Sequence, residues 1–240
     1  MIFELMEDIV KLAFIVAAFY YALSAVARRK GPVFTESLEK RRLAILFGLV
    51  LVVLAIKISE DVLGGESGPV DNAVLLFIHS HVPGTMTPFF SAITVTGSAK
   101  FLFPVTAFLT IMLLLGKRSS EALLLSVSVI SAALLVFIIK TMVGRHRPTL
   151  WETEYYWGSS FPSGHTLAVA AFATAATLLV LKVRPASLWI VMAAAFLWIF
   201  LVGLSRLVLG VHWPTDVLAA ACIGTFLPLA IKVIIHFQRT

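Results

Sequence analysis

The sequence contains little charge and a single cysteine. Charged residues make up 13% of the 240 residues and hydrophobic residues 60%, whereas soluble domains carry about 25% charged residues. With a mean hydropathy of +0.98, this composition excludes an ordinary soluble domain. Cys222 has no second cysteine with which to pair, so an intrachain disulfide is excluded, and we expect Cys222 to be a small packed residue.

The sequence contains several long runs of apolar residues. Runs of about 17–25 apolar residues predict transmembrane helices, so we predict an all-α, polytopic transmembrane bundle with six to seven spans. We expect no cleavable signal peptide, because the first run is acidic at its front and basic at its back. The predicted spans are 9–27, 43–59, 101–115, 122–139, 166–181, 188–204 and 216–237.

We predict that the chain has two parts. Residues 1–60 form N-terminal transmembrane helices joined by a basic linker, and residues 61–240 form the core. Segment 9–27 is expected either to span the membrane or to lie in its interface. The stretch from Val70 to Thr96 is too interrupted by proline and polar residues to span, and it is predicted to form interfacial helices at the outer surface.

The net charge of +6 is explained by membrane topology and not by nucleic-acid binding, because the basic residues flank the apolar runs. Loops 28–42, 117–121 and 182–186 contain Lys or Arg, and alternation of the spans places them together on the cytoplasmic side. The polar segments 140–165 and 205–216 then meet at the opposite, outer face. We therefore predict a multi-pass cell-membrane protein with its site facing the periplasm or the exterior.

The first polar segment runs from Lys140 to Pro148. We predict that the helix ends between Gly144 and Pro148, which leaves Arg147 free to fold back toward Lys140. A compact ammonium and a planar guanidinium together suit a tetrahedral oxyanion. Taken alone, the same residues are better explained by snorkelling to the membrane interface and by the charge pattern of membrane topology.

The second segment is Phe161-Pro-Ser-Gly-His-Thr166. Ser163 is a good N-cap, so a helix is predicted to begin there with His165 in its first turn. A helix N-terminus offers free N–H groups to an anion, and if that anion is a phosphate, His165 is placed to give or take a proton. An N-capped helix with an interfacial histidine is the plain alternative.

The third segment runs from Ser205 to Asp216. Pro214 disfavours a helix through this stretch, so Asp216 is predicted to cap the last span. Its carboxylate can hold one imidazole nitrogen of His212 and leave the other exposed as a nucleophile toward phosphorus. Arg206 adds a third cation. A purely structural His–Asp cap is the alternative.

Together, Lys-x6-Arg-Pro, Pro-Ser-Gly-His and Ser-Arg-x5-His-x3-Asp, in this order, resemble the type 2 phosphatidic acid phosphatase family, relatives of the vanadium haloperoxidases. The resemblance implies hydrolysis of a lipid phosphate or diphosphate, with no metal and no other cofactor. It implies that His212 attacks phosphorus, that Asp216 orients His212, and that His165 protonates the leaving group and later activates water. The implied phosphate ligands are Lys140, Arg147, Arg206, Ser163 and Gly164.

The lipid itself stays open between undecaprenyl diphosphate, phosphatidylglycerophosphate, phosphatidate and a lipid A phosphate. The expected partners are a membrane lipid and the bilayer, with no nucleic acid, and the oligomeric state is open. The loop 150–161, with its aromatic residues, is expected at headgroup level. His146 and Arg145 are close enough to line the pocket, whereas His79, His81 and His236 match no motif position and are interpreted as packing or interfacial residues.

Two alternatives to a hydrolase remain. A lipid phosphotransferase would pass phosphate from His212 to a second lipid instead of water, and the sequence does not separate the two. A non-enzymatic anion carrier would place ionisable residues within its spans, whereas the predicted spans are nearly free of charge.

Overall fold

The computed structural model describes residues 2–151 and 158–237, and the regular structure in these ranges is helical throughout, which confirms the all-α prediction. Short 3-10 turns lie at Gly84–Met86 and Pro185–Ser187. The α-helices are α1 (Ile2–Lys30), α2 (Pro32–Lys40), α3 (Arg42–Gly64), α4 (Gly68–His81), α5 (Thr87–Val95), α6 (Ala99–Leu115), α7 (Ser119–Val143), α8 (Gly164–Val183), α9 (Leu188–Val208) and α10 (Pro214–Phe237).

The number of candidate spans agrees with the prediction of six to seven. By length and composition, seven segments of the described ranges are able to cross a membrane. The third is longer than the predicted span 101–115, because α5 and α6 count together. The seven are Glu7–Lys30, Arg42–Gly64, Gly84–Leu115, Ser119–Val143, Gly164–Val183, Pro185–Val208 and Pro214–Ile235.

The chain divides into two compact units, residues 1–57 and 58–240. The first unit contains α1, α2 and most of α3. Between α1 and α2, Gly31 adopts a positive φ of 115°, and Pro32 occupies the first turn of α2, where its missing N–H costs no hydrogen bond.

In the second unit, α8 is the central helix and packs against α7, α9 and α10. Its buried positions are mostly small or β-branched, so neighbouring backbones approach closely. On α10, a Cβ added at Gly224 would lie 2.4 Å from the carbonyl oxygen of Leu167 on α8. This close contact fixes the first turn of α8 against the middle of α10.

Helices α7 and α8 run antiparallel. At the end of the pair where α7 begins, Lys182 Nζ lies 2.6 Å from Glu121 Oε1. At the other end α7 stops at Val143, because Gly144 adopts the left-handed conformation (φ 63°) that ends many helices. The helix thus ends one residue before the predicted range from Gly144 to Pro148, with Gly144 as its C-cap. The basic turns near residues 117 and 184 lie at the opposite end of α7 and α8 from the polar segments.

Helices α4 and α5, predicted to lie at the membrane surface, each bury one face in the protein. On α4, Asp71 and Leu75 are completely buried, and on α5, Phe90 and Thr94 are buried. Helix α5 packs against α9, where Trp198 Nε1 donates to Thr96 Oγ1 at 2.9 Å. Two of these residues, Asp71 and Thr94, turn toward the polar end of the bundle.

Candidate active site

Lys140 and Arg147 are brought together at the end of α7. The Lys140 ammonium donates to the carbonyl of Ser159. The positive charge of Arg147 is close enough to interact electrostatically with that ammonium. Arg147 Nη1 donates to the carbonyl of Val211 at 2.7 Å and lies 3.4 Å from His212 Nε2. The folded-back loop after α7 therefore carries Arg147 to the third polar segment, as the sequence predicted.

The second polar segment begins α8. Ser163 occupies the N-cap position as predicted, but its side chain does not cap the backbone. Instead its hydroxyl lies 3.0 Å from Thr166 Oγ1, and its N–H donates to the carbonyl of Asp216 at 3.1 Å. Gly164 and His165 follow in the first helical turn, where backbone N–H groups have no partner within the helix.

The third segment joins His212 to Asp216. His212 Nδ1 lies 3.3 Å from Asp216 Oδ2, and both side chains are buried. Contrary to the prediction, Asp216 does not cap α10 from outside. The helix already begins at Pro214, because proline is well tolerated in a first helical turn. Asp216 lies in that turn and accepts the N–H of Trp213 at 2.9 Å.

His212 lies between the spans and is fully buried. Burial lowers the pKa of His212 to about 4, although the hydrogen bond and charge of Asp216 act in the opposite direction. The imidazole is therefore neutral near pH 7. When Nδ1 carries the proton and donates to Asp216, Nε2 retains its lone pair and faces Arg147.

Arg206 is the most deeply buried cation of the site, with 1% of its surface exposed. Its Nη1 donates to Thr94 Oγ1 at 2.7 Å. The sequence interpretation did not include Thr94, which lies in an apolar segment with no motif around it. Its contact with Arg206 joins α5 to the site.

The remaining predicted residues converge on the same place. His165 interacts electrostatically with Arg206, His212, Lys140 and Arg147. Lys140 in turn interacts with Asp216 and Arg206. All eight predicted residues thus lie at one end of the bundle formed by α7 to α10, where three cations and a helix N-terminus surround two histidines.

A second network lies behind Asp216; the sequence predicted that its central residue, Arg145, lies near the pocket, but it did not predict the partners of Arg145. Arg145 donates to Asp216 Oδ1 and to Asp71 Oδ2, both at 2.6 Å. The same guanidinium donates to Thr215 Oγ1 at 2.9 Å and to Ser67 Oγ at 3.0 Å. A signal was present in the sequence, since Asp71 is the one acidic residue between Glu66 and Glu121.

Several other predicted positions lie away from this constellation. His79 stacks on Trp151 with ring centroids 4.0 Å apart, and His81 Nδ1 is bonded to Phe77 O at 2.8 Å. His146 is exposed, and its carbonyl accepts from Ser160 and Trp213. The His236 side chain and residues 152–157, which include most of the predicted aromatic headgroup loop, lie outside what the structure describes.

Within residues 2–151 and 158–237, no three His, Cys, Asp or Glu side chains form a group able to hold a metal ion. The two site carboxylates, Asp216 and Asp71, are both bound to Arg145. Apart from Asp216, the charged groups that act on His212 are the guanidinium groups of Arg206 and Arg147, so that side of the imidazole is suited to an anion.

Comparison with known families shows which proteins this chain is related to. The profile of the PAP2 superfamily matches residues 121–239, a range that contains every predicted site residue. The chain belongs to the PAP2 superfamily. This is the family that the three sequence motifs indicated.

Relatives of this PAP2 protein are lipid phosphatases. Phosphatidylglycerophosphatase B of Bacillus subtilis is 26% identical over 187 residues, which cover 77% of this chain and 90% of that protein. Undecaprenyl-diphosphatase of Sulfolobus acidocaldarius is 29% identical over 187 residues, covering 75% of this chain and 85% of that protein. The crystal structure of a transmembrane PAP2 type phosphatidylglycerolphosphate phosphatase from Bacillus subtilis superposes with a TM-score of 0.67 at 25% identity, covering 78% of this chain and 93% of that one.

These similarities settle the broad activity. The chain is a multi-pass membrane phosphatase of the PAP2 superfamily that acts on lipid phosphates or diphosphates. The prediction of a membrane lipid hydrolase is thereby confirmed.

Proposed function

We propose that this PAP2 phosphatase hydrolyses its lipid substrate through a covalent phosphohistidine at His212. The observation that carries the proposal is the position of the imidazole between two groups of opposite charge. Its Nδ1 lies 3.3 Å from Asp216 Oδ2 and its Nε2 lies 3.4 Å from Arg147 Nη1. The carboxylate fixes the tautomer, and the guanidinium marks where a phosphate oxygen would bind beside the free nitrogen.

Stabilisation of the transferring phosphoryl group is assigned to three cations and a helix end. Lys140, Arg147 and Arg206 supply positive charge around the equatorial oxygens, and Gly164 and the Ser163 hydroxyl supply donors at the start of α8. Phosphoryl transfer depends mainly on such positioning and charge stabilisation. The ground-state contacts of Arg147 and Lys140 are to loop carbonyls, which the oxygens of a substrate would replace.

The proposed reaction has two balanced steps. In the first, the lone pair of His212 Nε2 forms a bond to phosphorus, the bond from phosphorus to the lipid oxygen breaks, and His165 donates a proton to that oxygen. In the second, a water molecule attacks the phosphohistidine, His165 takes its proton, and the N–P bond breaks to release inorganic phosphate. His165 is thus the general acid of one step and the general base of the other.

The first substrates to test are indicated by the relatives. Phosphatidylglycerophosphate and undecaprenyl diphosphate both present a terminal phosphate on a lipid-linked headgroup, and they are the substrates that the names of the two relatives indicate. We further propose that the site faces the periplasm or the exterior. The basic turn at Lys117 and Arg118, at the far end of α7, would then face the cytoplasm.

The experiment is phosphate release by the purified protein in detergent. Phosphatidylglycerophosphate, undecaprenyl diphosphate, phosphatidate and a lipid A phosphate are offered in turn. We expect release from at least one, with a loss of about 10³-fold or more in His212→Ala. His81→Ala is the matched control, because His81 is exposed and, within the described residues, its side chain is hydrogen-bonded to Ser80 and Phe77 of its own helix α4. Undiminished release by His212→Ala would contradict the proposal, and transfer to an added acceptor lipid without release would indicate a phosphotransferase.

A second experiment tests the side of the membrane. A substrate that does not cross bilayers is offered to intact cells and to inverted membrane vesicles that contain the protein. We expect hydrolysis by the intact cells. Hydrolysis by inverted vesicles alone would place the site on the cytoplasmic side.

A further inference from the structure

We propose that Asp71 and Arg145 form a carboxylate clamp that positions Asp216 toward His212. This inference rests on the proposed function, because it takes His212 as nucleophile and Asp216 as its orienting group. Neither Asp71 nor Arg145 belongs to the three motifs. The clamp is defined as these two residues alone.

The guanidinium of Arg145 lies between two buried carboxylates. Its Nη1 lies 2.6 Å from Asp216 Oδ1 and its Nη2 lies 2.6 Å from Asp71 Oδ2. Both carboxylate side chains have no exposed surface, while that of Arg145 is 15% exposed. A planar guanidinium serves two carboxylates at once in a way that a lysine ammonium does not.

The two oxygens of Asp216 have different partners. Oδ2 lies 3.3 Å from His212 Nδ1 and accepts the N–H of Trp213, whereas Oδ1 accepts from Arg145. Arg145 therefore holds the oxygen that His212 does not use. Rotation of the carboxylate away from the imidazole would break a charge-assisted hydrogen bond, which is among the stronger contacts in a buried site.

Asp71 keeps this arrangement in place. Its Oδ1 accepts the N–H of Thr215 at 2.9 Å and its Oδ2 accepts the Thr215 hydroxyl at 2.7 Å. The same Thr215 hydroxyl accepts from Arg145. Asp71 thus attaches α4 to the first turn of α10, the turn that carries Asp216, so the clamp and its target belong to one hydrogen-bonded unit.

Charge balance explains why the clamp needs both members. A lone arginine beside Asp216 would compete with His212 for the carboxylate charge. Asp71 balances the positive charge of Arg145. The negative charge of Asp216 is therefore not neutralised by Arg145 alone and still acts on the imidazole of His212. If Arg145 were removed, two buried carboxylates would share one site without a cation, which disfavours the ionised form of one of them.

The test compares kcat and KM for two variants, Arg145→Gln and Asp71→Asn, on a substrate that the wild-type protein hydrolyses. Because Arg145 acts through Asp216 and not on the phosphate, we expect kcat to fall by about 10–100-fold in each variant while KM changes by less than about 2-fold. Arg184→Gln is the matched control, because Arg184 is an exposed arginine at the other end of α8. It is expected to leave both constants unchanged.

A double-mutant cycle separates positioning from a general loss of structure. Once Asp216→Asn has removed the carboxylate that Arg145 holds, Arg145→Gln is expected to lower kcat by less than about 2-fold further. Equal losses in both backgrounds would overturn the proposal, as would a raised KM with kcat unchanged, which would mean that Arg145 binds phosphate directly. If Arg145→Gln does not fold, as judged by its elution and thermal unfolding in detergent, Asp71→Asn is taken through the same cycle.

The outcomes also separate this inference from the proposed function. If His212→Ala remains active, the phosphohistidine mechanism fails and the clamp has no target. If His212→Ala is inactive but the Arg145 and Asp71 variants show wild-type kcat, the mechanism stands and the clamp alone is refuted.

Discussion

Replacing Thr94 by valine tests whether α5 positions a phosphate-binding arginine. The substitution keeps the shape of the side chain and removes the hydroxyl that accepts from Arg206 Nη1 at 2.7 Å. Arg206 is 1% exposed, so water does not readily replace the lost acceptor. A hydrogen bond to a charged group contributes about 1.5–3 kcal/mol. We therefore expect the free energy of unfolding to fall by about that amount.

A similar loss is expected in catalysis, because loss of the contact with Thr94 weakens the hold on the Arg206 guanidinium and its orientation toward the phosphate. If about 2 kcal/mol is lost from the transition state, kcat/KM falls by ~30-fold. The assay measures kcat/KM for phosphate release in detergent and the unfolding temperature of the same sample.

Thr106→Val is the matched control for Thr94→Val. Thr106 is 6% exposed and Thr94 is 8% exposed, but the buried Thr106 hydroxyl has no hydrogen-bond partner among the described residues. Removal of the Thr106 hydroxyl is expected not to lower the free energy of unfolding by more than about 0.5 kcal/mol, and an increase is also consistent with the reasoning. The value of kcat/KM is expected to stay unchanged. Equal behaviour of the two variants would refute the assignment of Thr94 as the residue that positions Arg206.

Three further outcomes are expected. Burial lowers the pKa of His212 to about 4. We therefore expect kcat/KM for a short-chain substrate to stay constant as the pH falls through 6.5, the ordinary pKa of histidine, and to decline only near pH 4. A decline already at pH 6.5 would contradict a buried, neutral His212 as nucleophile. Gly224→Ala places a Cβ 2.4 Å from Leu167 O and is expected to destabilise the protein by about 1–3 kcal/mol, whereas Gly84→Ala, which enters open space, is expected to have little effect in the same thermal-unfolding measurement. EDTA is expected to leave phosphate release unchanged, because the proposed mechanism uses only cations of the chain, and loss of activity that Mg²⁺ restores would count against it.

The meeting of the eight predicted residues at one end of the bundle could be expected from the sequence, because all of them except Gly164 are polar within an otherwise apolar chain. His212 and Asp216 are four residues apart, and their contact is a consequence of that spacing. The helix end at Gly144 and the helix start at Ser163 result from local backbone preferences. Local signals thus identify the ends of the spans, and counting the spans places these ends on one face.

The partners of these residues could not be predicted in the same way. Thr94 is 112 positions from Arg206, and Asp71 is 74 positions from Arg145. A threonine in an apolar segment carries no local signal, and its role depends on the packing of α5 against α9. The prediction that Asp216 caps α10 from outside is wrong, because Pro214 breaks a helix only in its interior and here occupies a first turn, which tolerates proline.

Trapping of a phosphoenzyme tests the central claim most directly. The protein is mixed with a substrate labelled in its terminal phosphate and quenched within milliseconds in alkaline detergent, which preserves a phosphorus–nitrogen bond. The account predicts a burst of label bound to the protein, stable in base, lost in acid and located at His212, with none in His212→Ala. Phosphate release without bound label at any time, or label on a residue other than His212, would contradict it.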